Sequence, residues 1–128
     1  TLKVSDPTVT GTGRESVLHL PVTLTPTGKR DDISFGGFGS TILFNQAPGS
    51  PAAVKVPLGK DDPPAKLDMM VTPARCDGHA LADDKVGRLF DVKVLGEAVG
   101  EGASFYLPLT KPQRVAFFDF YRSHCGLD

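Results

Sequence analysis

The chain has no tryptophan, only two cysteines, and no apolar run long enough to cross a membrane as a helix. It also lacks a surplus of either charge, with a formal net charge of −1. A nucleic-acid binder carries a basic stripe, so no nucleic-acid partner is expected. Signatures of catalysis are missing too. There is no Gly-x-Ser-x-Gly elbow, no His-Glu-x-x-His helix, no phosphate loop ending in Gly-Lys-Ser/Thr and no dinucleotide fingerprint. The expectation is a protein without a cofactor that is not an enzyme. A spatially assembled triad leaves no sequence spacing, however, so a cryptic hydrolase stays open as an alternative. Thr1 has the hydroxyl of an N-terminal nucleophile, but no partner for it is identifiable.

What is present describes a globular domain. At 128 residues, 40% hydrophobic and 23% charged, the chain can bury a core of its own. Fourteen glycines and eleven prolines punctuate it densely, which favours many short strands over long helices. Leu18, Leu20, Val22 and Leu24 alternate with His19, Pro21 and Thr23 in the clearest strand. Pro21 lacks an N–H, so this strand is expected at an edge or with a bulge. Residues 2–10, with Pro7, suit an edge strand. Further strands are expected around Ile33–Phe35, at Thr41–Phe44, Ala53–Leu58 and Leu67–Thr72, and as a hairpin of Leu89–Val94 with Ser104–Leu107. The three Asp-Asp pairs read as turns and solvated element ends, without the calcium-loop pattern.

Two helices complete the pattern. Asp77 is placed to cap a short one running to about Lys85. Thr110-Lys111-Pro112-Gln113 matches a capping box, Val115, Phe117, Phe118 and Tyr121 supply an apolar face, and Gly126 is placed to end the helix. The expected fold is mainly β. It is one antiparallel, immunoglobulin-like β-sandwich over residues 1–128, with about seven or eight short strands, a short middle helix and a docked C-terminal helix. The missing tryptophan argues against an antibody-type domain. Beginning at Thr1 rather than Met, the chain is expected to be processed or excised from a longer exported protein.

Cys76 and Cys125, the one pair available, are expected to form an intramolecular disulfide that staples the C-terminal segment to the middle of the domain. Closing a loop of about fifty residues would contribute on the order of 4 kcal/mol by chain entropy. Buried free thiols in a reducing compartment are the competing reading. A zinc site is a sharper alternative, because Cys76, His79, His124 and Cys125 are the ligand types zinc takes. Against it, adjacent residues such as His124 and Cys125 point about 100° apart on a helix. His79 reads otherwise as a first-turn residue, and His124 as a cation suited to a helix C-terminus. Phe35-Gly36-Gly37-Phe38-Gly39-Ser40 has two readings: a loop presenting Phe38 beside bare backbone, or a glycine bend that tucks Phe38 into the core. The candidate binding surface is Phe38 with Gly36, Gly37 and Gly39, together with the Asp77–His79 turn.

The run Pro73-Ala74-Arg75-Cys76-Asp77-Gly78-His79-Ala80-Leu81-Ala82-Asp83-Asp84-Lys85, with the closing His124-Cys125-Gly126, resembles a family of uncharacterised secreted or lipid-anchored proteins of high-GC Gram-positive bacteria. Gly78 stands where that pattern more often has proline. Val22-Thr23-Leu24-Thr25-Pro26-Thr27-Gly28 is similar, on less, to the first core strand and turn of bacterial immunoglobulin-like modules. The first resemblance implies export and a cysteine pair and carries no activity. The expectation is therefore a non-catalytic, extracytoplasmic domain that binds a protein or cell-envelope ligand or acts structurally.

Overall fold

Pro21 decides how the first residues are laid out. This computed structural model describes residues 2–26, 33–79, 90–95 and 104–127. Two short strands, β1 (Leu2–Val4) and β2 (Thr8–Thr10), replace the single edge strand expected over residues 2–10, and both run antiparallel to β3 (Val17–Leu24). The gap between them lies opposite Pro21, whose carbonyl accepts from Ser5 N–H at 2.9 Å. A strand residue points its N and its carbonyl to the same side, so the N–H that proline lacks would have faced this gap. The expected edge or bulge in β3 is thus replaced by an interruption in its neighbour, and β3 is an interior strand. Its other side pairs in unbroken register with a long strand from Leu18↔Val71 to Leu24↔Ala65.

The chain continues through β4 (Ser34–Phe38), β5 (Phe44–Gln46), β6 (Val56–Pro57), β7 (Ala65–Pro73), β8 (Asp91–Leu95) and β9 (Ser104–Tyr106) to helix α1 (Lys111–Cys125). Two antiparallel sheets pack together. One has the order β1-β3-β7-β5 with β2 also on β3, and the other has the order β6-β4-β8-β9. The strand expected over Ala53–Leu58 shrinks to β6, and the one expected at Thr41 starts only at Phe44. There the Thr41 hydroxyl accepts from the N–H groups of Leu43 and Phe44, which holds a bend before the strand. Asp62 accepts from Gly59 N–H at 2.8 Å, the turn chemistry expected of that aspartate pair. Asp31-Asp32 and Asp83-Asp84 lie outside the described residues.

The glycines of β4 solve a spacing problem. Phe35 and Phe38 are three apart, so a regular strand would turn them to opposite faces. Phe35 pairs with Val94 and Gly37 with Lys93, leaving Gly36 as the extra residue of a bulge. Both rings are consequently buried, in edge-to-face contact at 4.9 Å. Gly37 holds φ +120°, and a Cβ there would stand 2.1 Å from the Ala52 carbonyl oxygen. No side chain fits between these two segments.

Leu18, Leu20 and Val22 from one sheet meet Phe35, Phe38, Phe90 and Val92 from the other in a continuous core. Phe44 is its hub, with ring centroids 5.4 Å from Phe117, 5.9 Å from Tyr121 and 6.0 Å from Phe90. Helix α1 has both halves of the expected capping box, Thr110 with Gln113, and Gly126 in the left-handed conformation at its end. Its buried side is Gln113, Phe117, Phe120, Tyr121, His124 and Cys125. Val115 is exposed, contrary to expectation, because it sits about 200° round the helix from Phe117. At Asp77 the expected cap is present: its carboxylate accepts from His79 N–H at 2.9 Å, and helical geometry begins at Gly78. The rest of the range expected to be helical, to about Lys85, lies outside the described residues. Among them, no helix is long and apolar enough to cross a membrane.

Candidate functional site

The two ends of the sandwich differ in kind. At one end the C-terminus of β7 meets the C-terminus of α1 through the Cys76–Cys125 disulfide, with Cα atoms 5.3 Å apart. Tyr121, one helical turn before Cys125, reinforces it. Its buried hydroxyl donates to the Arg75 carbonyl and accepts from Asp77 N–H at 3.0 Å, clamping the backbone on both sides of Cys76. His124 fastens the helix to the 3-10 turn Gly13–Glu15. Its Nδ1 lies 2.9 Å from the Ser16 carbonyl, which can only accept, so Nδ1 carries the hydrogen. The Ser16 hydroxyl donates to Gly13 O at 2.6 Å, leaving its oxygen to receive the same Nδ1–H at 3.0 Å.

This corrects two expectations. The zinc set Cys76, His79, His124 and Cys125 needs thiolates, and both sulfurs are in the bond; His124 Nδ1 is committed to Ser16. Among the described residues no group of three or more His, Cys, Asp or Glu could hold a metal ion. His124 is buried in the last turn of α1, where its Nδ1–H donates to Ser16. The candidate surface around Phe38 fares similarly. Its ring is buried, Gly36 and Gly37 serve the bulge, and Gly39 N–H donates to the Asp91 carbonyl, so the loop presents no aromatic contact. In the Asp77–His79 turn His79 is exposed, while Asp77 is half-buried, caps the helix start and lies 3.6 Å from Arg75. Thr1 lies outside the described residues.

At the opposite end the sheets part around an apolar cleft of ≈ 280 Å³. Leu2, Leu24 and Pro26 line it from the larger sheet, and Phe35, Val92, Val94 and Phe105 from the smaller one. Val94 and Leu2 are half-buried, and the Phe105 ring is 43% exposed at the mouth. Sequence alternation puts Leu24, Val92 and Val94 on inward faces, but it has no signal for space between the sheets.

A second arrangement lies on the outer face of the larger sheet. Thr10 Oγ1 is 2.8 Å from His19 Nε2, and His19 Nδ1 is 2.8 Å from Asp68 Oδ2. These residues stand on β2, β3 and β7. Alternation puts His19 on the polar face of its strand, but no local signal marks partners that only strand register brings together. The chain was compared with family models, curated proteins and solved structures, and it matches none of them.

Proposed function

We propose that the chain is an extracytoplasmic binding domain that seats the hydrocarbon part of a cell-envelope ligand in the cleft between its sheets. The observation that carries this reading is the cleft itself, whose lining is apolar apart from Thr25. Small-molecule sites are mostly apolar concavities of about 300–1,000 Å³. A dry apolar cavity of about 150 Å³ already holds benzene. The volume here suits a slim occupant, such as a stretch of acyl chain or one ring. Phe105 at the mouth adds an aromatic surface for such a group to slide past.

Export is supported by the disulfide, since such bonds persist in oxidising compartments. The likeness of the Cys76 segment to secreted Gram-positive proteins supports the same compartment, where membrane and envelope lipids supply hydrocarbon chains. We further assign the sandwich to the immunoglobulin-like class. The support is strand order: β1-β3-β7-β5 against β4-β8-β9 parallels the ABED and CFG sheets of that fold, with β6 added beside β4.

A chain-length series tests the binding reading. Each buried methylene is worth ~0.8 kcal/mol, about a four-fold change in Kd. Displacement of a fluorescent fatty acid by unbranched carboxylates should therefore tighten about four-fold per methylene until the cleft is full, then level off. Val94→Trp fills the cleft and should abolish the trend. Binding that ignores chain length, or that survives Val94→Trp unchanged, would refute the proposal.

A further inference from the structure

We infer that Thr10 is an activated nucleophile, primed by His19 and Asp68 to accept an acyl group from activated carboxylic esters. The three side chains form a continuous hydrogen-bonded chain with a definite polarity. The Asp68 carboxylate accepts, so His19 Nδ1 carries a hydrogen; in the neutral imidazole Nε2 then has the lone pair, and the Thr10 hydroxyl donates to it. Hydroxyl, imidazole and carboxylate in this order and at these distances make up the acyl-transfer triad, which is recognised by geometry rather than chain order. The Thr10–His19 spacing also lies within the reach required between a nucleophile and its base.

Register shows that the arrangement is more than nearest-neighbour pairing. The residue directly opposite His19 is Thr8 on one side and Met70 on the other, so both hydrogen bonds run diagonally across the strands. The imidazole spans three strands and is held at both nitrogens, which fixes its tautomer. Thr10 is open to solvent, the His19 side chain is 22% exposed and that of Asp68 50%. A substrate can reach the hydroxyl while the base stays largely covered.

In the reaction, Thr10 Oγ1 attacks the ester carbonyl carbon and its proton passes to His19 Nε2. The bond from that carbon to the leaving oxygen breaks, the departing oxygen takes the electron pair, and His19 returns the proton to it or to water. The product is an acyl ester on Thr10. Thr10 is exposed and is not among the cleft-lining residues, so the cleft does not select the acyl group. The substrate class is accordingly small esters whose leaving group departs readily, such as aryl esters.

The test uses the full chain with p-nitrophenyl acetate, following nitrophenolate release and mapping the adduct by peptide mass spectrometry. Acetyl should appear on the Thr10 peptide and be absent there in Thr10→Val. His19→Gln should slow acetylation of Thr10 by ~10²-fold or more, the usual contribution of a general base. Asp68 acts through His19 as a positioning residue, so Asp68→Asn should slow the step and Asp68→Glu should restore part of it. Circular dichroism checks that each variant is folded. No acetylation of Thr10 in the parent chain, or an equal rate in folded His19→Gln, overturns the inference and leaves the three residues as a cross-strand tie.

Discussion

Gly37 and Gly13 both adopt positive φ, at +120° and +54°, yet their surroundings differ. A Cβ at Gly37 would collide with the Ala52 carbonyl, while at Gly13 nothing lies within 4 Å. Gly13→Ala should cost ~1–2 kcal/mol, the strain of a left-handed L-residue alone. Gly37→Ala adds a backbone overlap that only movement of the 51–53 segment relieves, so its cost should exceed that by at least ~1 kcal/mol. Urea unfolding of both variants checks this, and equal losses would show that the Ala52 contact is not the constraint. Tyr121 makes the matching point for a polar atom. Tyr121→Phe keeps the ring in the core but removes the hydroxyl that pairs the Arg75 carbonyl and Asp77 N–H, and should cost ~1–3 kcal/mol in the same assay. Helical periodicity puts Tyr121 on the apolar face of α1, which is where the ring lies. The role of its hydroxyl depends on residues more than forty positions away and has no local signal.

At the scale of elements, what was legible in the sequence is what local chemistry decides. The capping box of α1, its terminal glycine, the alternation of β3 and the β8–β9 pairing all rest on residues close together in the chain. The elements that departed from expectation are set by neighbours. β1 and β2 separate because of a proline in the adjacent strand, and β4 runs through its glycines because Phe35 and Phe38 must both reach one core. The candidate sites divide in the same way. The cysteine pair could be proposed because only one pairing existed, whereas the cleft and the Thr10–His19–Asp68 chain exist only after the strands are in register. The disulfide also carries an element-scale prediction. Replacing Cys76 and Cys125 together by alanine frees a loop with a sequence separation of 49. Unfolding free energy should fall by on the order of 4 kcal/mol. An intact urea transition with less than ~1 kcal/mol lost would mean that Tyr121 and His124 hold the helix end without the bond.

On the scale of the whole molecule, β3 connects the two ends. Ser16, just before its first residue, receives His124 beside the staple, while Leu24 at its end lines the cleft. Eight residues of strand at about 3.3 Å each separate these points by roughly 26 Å. Effects of changes more than about 7–10 Å apart, with no shared partners, usually add independently. The phenylalanine hub around Phe44 belongs to the staple side, and among the described residues of the buried core Leu24, Phe35 and Val92 line the cleft. Breaking the disulfide should therefore lower stability without reshaping the cleft. The prediction is that reduced protein, corrected for the folded fraction measured by circular dichroism, binds the fluorescent fatty acid within about two-fold of the oxidised protein's affinity. At the same time, hydrogen exchange at Arg75, Asp77 and the last turn of α1 should accelerate, because local opening there no longer stretches a covalent bond. A cleft that loses affinity in folded, reduced protein would show that the staple sets the spacing of the sheets along their whole length. The disulfide would then be part of the binding site rather than a lock on its far end.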